Sequence, residues 1–152
     1  MKVNLKPLRD QVIVITGAGS GIGAVTARMA AAKGARVVLA GRQEAALDQV
    51  GRTFMREGGA AATVVADVGV QEDHERILAL AVERFGRVDT WVNNAGVSIY
   101  GTLEQVPIED QRKLFDTDYW GVVYGSLAAV RHMKATGGAI INLGSEVSDR
   151  AV

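Results

Sequence analysis

Four glycines at every second position, Gly17, Gly19, Gly21 and Gly23, are the residues of this chain most plainly placed for chemistry. They follow a β-branched run, Val12, Ile13, Val14 and Ile15, which Thr16 ends. Glycines at that spacing admit a ligand to the backbone where side chains would block it. Ile22, Val25, Met29 and Ala30 then recur at helical spacing, so a helix opens inside the glycine run. A strand, a glycine turn and a helix N-terminus make an anion site, because free N–H groups and the positive end of the helix dipole face the ligand. Gly19, Gly21 and Ala24 fit the dinucleotide spacing G-x-G-x-x-A, and Gly17, Gly21 and Gly23 fit G-x-x-x-G-x-G. A tight turn with no ligand is the alternative.

Other chemistries are poorly served. The chain has no cysteine, which removes disulfides and thiolate metal sites. His74 and His132 stand far apart without ligand-like spacing, so no metal site is expected. Seventeen basic residues balance seventeen acidic ones, leaving no electrostatic case for nucleic acid or a membrane surface. The first ten residues lack an apolar core of signal-peptide length, and no later run could span a bilayer. A cytoplasmic protein is expected.

The elements that must position the glycines follow in regular alternation. A chain of 152 residues suits one domain, which would bury roughly 70% of its unfolded surface. A polar lead-in over 1–10, broken by Pro7, precedes a strand at 11–16 and a helix at 21–33 that stops at Gly34. Strands at 36–40, 60–66, 88–92 and 139–143 alternate with helices at 43–57, through the seventies to Phe85, and at 108–135. The third helix shows one apolar face in His74, Ile77, Leu78, Ala81, Val82 and Phe85, with His74 at the margin of the core. Residues 97–107 and 144–152 read as loops. The order β-α-β-α-β-α-β-α-β with short connections predicts a parallel sheet covered by helices on both faces, with right-handed crossovers.

Several stretches then fall into one pattern. Residues 16–23 (TGAGSGIG), Asp67-Val68, residues 93–96 (NNAG) and residues 138–145 (GAIINLGS) together resemble the classical short-chain dehydrogenase/reductases. The likeness keeps order and spacing from about Val12 to Ser145. It implies a Rossmann-like doubly wound parallel sheet in three α/β/α layers, here a single dinucleotide-binding domain over 1–152 that ends after the fifth strand. It also implies roles. Gly17, Gly19, Ser20, Gly21, Ile22 and Gly23 would cradle a pyrophosphate. Asp67 would contact adenine with Val68 beside the ring, and Asn93, Ala95 and Gly96 would line the middle of a nicotinamide dinucleotide. Asp67 as a helix cap and Asn93 as a strand-end hydrogen bond are the plainer alternatives.

The end of the second strand bears on which dinucleotide. NAD-binding members carry a carboxylate there for the ribose 2′-hydroxyl. This chain has Gly41 in that place and Arg42 beside it. A guanidinium can fork onto a 2′-phosphate, so NADP(H) is expected in preference to NAD(H). A solvated charge opening the next helix is the alternative for Arg42. Ser20, where many NADP enzymes carry a second basic residue, adds no support.

The reaction implied is hydride transfer between the nicotinamide and a small-molecule carbonyl or alcohol. The family uses a tyrosine as acid–base, a lysine four residues later to lower its pKa, a serine to orient the substrate oxygen and an asparagine in a proton relay. Ser145 matches the serine. The tyrosine is expected about thirteen residues later, past Val152. Tyr100, Tyr119 and Tyr124 lie upstream, and none is followed by lysine at that spacing. Asp118 stands where the family has asparagine; an ionised carboxylate accepts hydrogen bonds and donates none. A solvent-facing helix acid is the alternative there.

Two readings therefore stand. One is an oxidoreductase of which these residues are the N-terminal portion, inactive alone. The other is a non-catalytic dinucleotide-binding module. Residues 97–101 and 146–150 would border the substrate. The fifth strand is expected to leave an apolar edge. The helix at 108–135 is expected to form the interface of a homo-oligomer through Val122, Val123, Leu127, Val130 and Met133, leaving the chain alone marginal or self-associating.

Overall fold

The β-branched runs pair edge to edge as parallel strands. The computed structural model describes residues 5–145, and within them lie β1 (Val12–Thr16), β2 (Arg36–Gly41), β3 (Ala60–Val65), β4 (Thr90–Asn93) and β5 (Ala139–Asn142). They form one sheet in the order β3-β2-β1-β4-β5, every pair parallel. The helices are α1 (Gly21–Ala32), α2 (Glu44–Arg56), α3 (Gln71–Phe85), α4 (Ile108–Phe115) and α5 (Gly121–Met133). The expected alternation and sheet are present, with ends moved by one or two residues. The chain winds outward from β1 to β3 and then resumes on the other side of β1 with β4. That reversal opens a crevice beyond the carboxyl ends of β1 and β4.

Alternating side chains of each strand feed two cores, which is why all five residues of β1 are buried. On one face Ile13, Ile15, Val37, Leu39 and Val92 pack with Ala27 and Ala30 of α1 and Leu47 and Phe54 of α2. On the other, Val12, Val14, Val38 and Trp91 pack with Ile77 and Ala81 of α3 and Ala128, Ala129 and Met133 of α5.

Several expectations are corrected. The helix expected from Ile22, Val25, Met29 and Ala30 forms as α1, and of these four only Ala30 is buried: Ile22 is 65% exposed, Val25 58% and Met29 61%. The helix meets the sheet through Gly23, Ala27 and Ala30, whose small side chains let it lie close. His74 is not at a margin but fully buried, while Val82 turns to solvent. Met133 belongs to the core and not to an outer surface, whereas Leu127 and Val130 are exposed. Phe115, Tyr119 and Trp120 extend that exposed apolar stripe. The helix expected over 108–135 is interrupted by a π-helical turn, Asp116–Trp120, between α4 and α5. Residues of the polar lead-in form a short 3-10 turn, Leu8–Asp10.

β5 lies at one edge of the sheet, with Ile141 and, just past its end, Leu143 half in solvent, the apolar edge expected of the fifth strand. Among the described residues no helix is long and apolar enough to cross a membrane. The substrate-bordering segment expected at 146–150 lies outside the described residues.

Candidate functional site

The crevice at the switch between β1 and β4 has a volume of about 510 Å³. Gly17, Gly19, Ser20, Gly21, Ile22 and Gly23 form its floor, Gly41 and Arg42 one end, Asp67 and Val68 the wall beside them, and Ala95 and Gly96 the far side. Of the cofactor-binding residues expected from the sequence, Asn93 is missing from this lining.

The glycine turn is shaped for close approach. Gly17 sits at φ +65°, and a Cβ there would lie 2.8 Å from Ala95 Cα, so the β1 and β4 loops touch only because the side chain is absent. A Cβ on Gly23 would collide with the Gly17 carbonyl oxygen, which holds the first turn of α1 against the loop. Ser20 precedes α1 in extended conformation and makes no side-chain capping bond, and no acid stands in the first turn. The helix N-terminus therefore presents its amides and dipole uncompensated toward the crevice.

Thr16 ties the two loops together. Its hydroxyl oxygen accepts the N–H groups of Asn94 at 3.0 Å and Ala95 at 3.1 Å. The Asn94 side chain donates back to the Thr16 carbonyl at 2.8 Å. Asn94, not Asn93, thus faces the cleft. The Asn93 side chain turns into the core behind it, where its Oδ1 accepts the Trp91 indole N–H at 2.9 Å. Its Nδ2 donates to Asn142 Oδ1 at 2.8 Å and Ser126 Oγ at 3.2 Å. Consecutive residues leaving a strand point to opposite sides, so only one of the pair can reach the ligand side.

Asp67 does not cap α3. Its Oδ1 accepts the Gly69 N–H at 3.0 Å, closing a turn, while its own N–H is taken by Asp73 Oδ2 at 2.7 Å. Arg42, directly after β2, is exposed and has no ion-pair partner among the described residues. Asp67, in the wall beside it, is the one acid among the lining residues, and none stands at the end of β2 itself. Asp118 lies in the π turn and accepts the Val97 N–H at 2.9 Å, which sets its carboxylate against Gly96. π turns inserted in α-helices recur at functional sites, and this one aims Asp118 at the loop after β4. Ser145 is exposed and follows β5 at the same end of the sheet, two residues beyond Leu143, which lines the crevice.

Val97, expected to border the substrate, also lines the crevice, together with six residues given no role from the sequence: Asn94, Thr117, Gln43, Leu47, Ala66 and Leu143. All but Leu47, which lies inside α2, neighbour an assigned residue or a strand end, which is the signal the sequence offers. His74 lies behind the wall, its Nε2 2.9 Å from the Val68 carbonyl oxygen. Burial pushes the pKa of that imidazole below its ordinary value, outweighing the Val68 carbonyl and the carboxylates of Asp73 and Glu75.

Comparison with known proteins gives a consistent set of relatives. The family model for short chain dehydrogenases matches residues 11–152. An uncharacterized oxidoreductase of Bacillus subtilis, YxnA, is 55% identical over 151 residues, covering 98% of this chain and 42% of that protein. Meso-2,3-butanediol dehydrogenase of Serratia marcescens is 38% identical over 136 residues, 90% of this chain and 53% of that protein. Among solved structures, an alcohol dehydrogenase from the archaeon Thermococcus sibiricus complexed with 5-hydroxy-NADP superposes with a TM-score of 0.89 at 33% identity. That match covers 93% of this chain and 61% of the other. The chain spans about half the length of the curated relatives it matches.

Proposed function

Because the chain belongs to the short-chain dehydrogenase family, we propose that it forms the dinucleotide-binding part of an oxidoreductase that takes NADP(H) in preference to NAD(H) and interconverts a carbonyl and an alcohol. One observation carries this: a switch-point crevice floored by uncompensated helix amides holds a free guanidinium, Arg42, and no acid at the end of β2. The nicotinamide supplies or accepts the hydride when the dinucleotide is bound.

The chain's own residues have distinct tasks. The glycine turn, with Ser20 and Ile22, receives the pyrophosphate through backbone N–H groups. Arg42 pairs with the 2′-phosphate beside Gly41, where a carboxylate would repel it. Asp67 and Val68 hold the adenine, and Ala95 and Gly96 let the ribose approach the backbone. Ser145 orients the substrate oxygen. Asp118 fixes the loop that carries Gly96. The 152 residues contain no tyrosine followed four positions later by lysine, which favours the narrower reading of these residues alone as a module that binds without turnover. The apolar stripe from Phe115 through Tyr119 and Trp120 to Leu127 and Val130 supports a homo-oligomer built on α4 and α5. The protein works in the cytoplasm on a small molecule, without nucleic acid or membrane.

The test is direct titration of the chain with NADPH and NADH, followed by the change in nicotinamide fluorescence. NADPH should bind at least about ten-fold more tightly, the worth of one charge-assisted pair. Equal affinities would remove the NADP preference, and no binding of either would remove the reading of the crevice.

A further inference from the structure

His74 is buried between α3, β4 and α5, where hydrocarbon is the usual occupant. Its ring stacks on Trp91 at 6.0 Å between centroids and meets Tyr124 edge-on at 6.1 Å. Trp91 is itself fixed by its bond to Asn93, so the imidazole has little freedom to turn. Nε2 lies 2.9 Å from the Val68 carbonyl oxygen. A carbonyl only accepts, so Nε2 carries the proton and donates it. Nδ1 is then a buried lone pair, and it has no hydrogen-bond partner among the described residues.

A leucine here would fill the space without leaving an acceptor unsatisfied. The histidine costs stability, and what it does in return is hold one carbonyl, that of Val68. The turn carrying Val68 is fixed on its other sides as well. Asp73 takes the Asp67 N–H, Asp67 takes the Gly69 N–H, and a Cβ on Gly121 would come within 2.9 Å of the Val68 side chain. Each of these contacts bears on a wall of the crevice and not on its floor.

We infer that His74 is a positioning residue for the adenine end of the dinucleotide, fixing Val68 and with it Asp67 in the crevice wall through its Nε2–H···O=C bond. This rests on the reading of the crevice as a dinucleotide site. His74 touches no ligand. It acts through the peptide that does.

The experiment is an NMR titration of the full chain with 5′-AMP and with ribose 5-phosphate, which shares the sugar phosphate but lacks adenine. His74→Leu should weaken AMP about five-fold, the worth of one buried hydrogen bond, and leave ribose 5-phosphate within about two-fold. His74→Gln, whose side-chain N–H can reach the same carbonyl, should recover most of the AMP affinity. In the wild-type chain the Hε2 resonance of His74 should move on adding AMP and stay still with ribose 5-phosphate, a reading available even where the leucine variant does not fold. The inference is overturned if His74→Leu binds AMP as the wild type does, or if both ligands weaken together. It is equally overturned if AMP binds without moving Hε2. A wild-type chain that binds no AMP at all would instead overturn the reading of the crevice, and this inference with it.

Discussion

Asp118 Oδ1 accepts the Val97 N–H at 2.9 Å, joining the π turn to the loop after β4 across 21 positions of sequence. Gly96 lies inside that joint, 3.5 Å from the same carboxylate oxygen when a Cβ is placed on it. Asp118 is exposed, as a solvent-facing helix acid would be, and outside the crevice lining, but its carboxylate is engaged by the Val97 amide. It holds the segment over which the ribose would lie.

Breaking the joint should loosen that segment without unfolding the sheet. Asp118→Ala should speed hydrogen exchange of the Val97 amide about ten-fold, and Asp118→Asn, which keeps an acceptor, should change it little. Exchange by NMR reads both. An unchanged Val97 amide in the alanine variant would mean that the bond does not form in solution.

The glycines of the turn should not respond alike to a methyl group. Gly17→Ala combines φ +65° with a backbone contact at 2.8 Å and should cost about 2–4 kcal/mol. Gly21→Ala has φ +52° but open space around its Cβ and should cost about 1 kcal/mol. Urea denaturation of the two variants measures the difference. Equal losses would show that the touch between Gly17 and Ala95 carries no weight.

Arg42→Ala should reduce NADPH affinity about ten-fold and leave NADH affinity within about two-fold, because only the 2′-phosphate loses a partner. Raising salt should weaken NADPH binding to the wild type more than to the variant. If both nucleotides weaken together, Arg42 serves the crevice in some other way.

Stability should fall on the acid side through His74. Burial lowers its pKa in the folded chain below the ordinary 6.5, so the unfolded chain binds the proton first. The folded state is fully favoured above that value. It loses ground as pH drops below about 6.5, and continues to do so until the folded imidazole is itself protonated, by at most about 1.4 kcal/mol per pH unit. Asp73, Glu75 and the Val68 carbonyl oppose the shift and limit its size. Thermal melts between pH 8 and 5 should show a shallower decline for His74→Gln than for the wild type, and parallel declines would exclude His74 as the source.

The strands and the glycine turn could be read directly because they are local. A β-branched run cannot sit comfortably in a helix, and glycines at every second position after it have few other uses. Twelve of the thirteen residues assigned to cofactor binding line the crevice, those of the turn from this local pattern and the others from the end of β2 and the family resemblance. Asn93 was misplaced because the sequence does not say which of two adjacent asparagines keeps the strand's inward phase and which turns out with the loop. Periodicity in Ile22, Val25, Met29 and Ala30 places the helix α1, but helix–sheet distance decides which of its residues touch the sheet, the small Gly23, Ala27 and Ala30.

The sequence alone determined the alternation of strands and helices, the parallel sheet and the glycine turn between β1 and α1, since each follows from side-chain branching, backbone freedom and spacing within about twenty residues. Only the tertiary structure decided that Asn94 faces the crevice and that Asp118 reaches Val97 from a π turn. It alone placed His74 under the Val68 carbonyl. Those contacts join segments whose mutual approach depends on how closely helices settle on the sheet, and packing distance is a property of the whole core that no local pattern encodes.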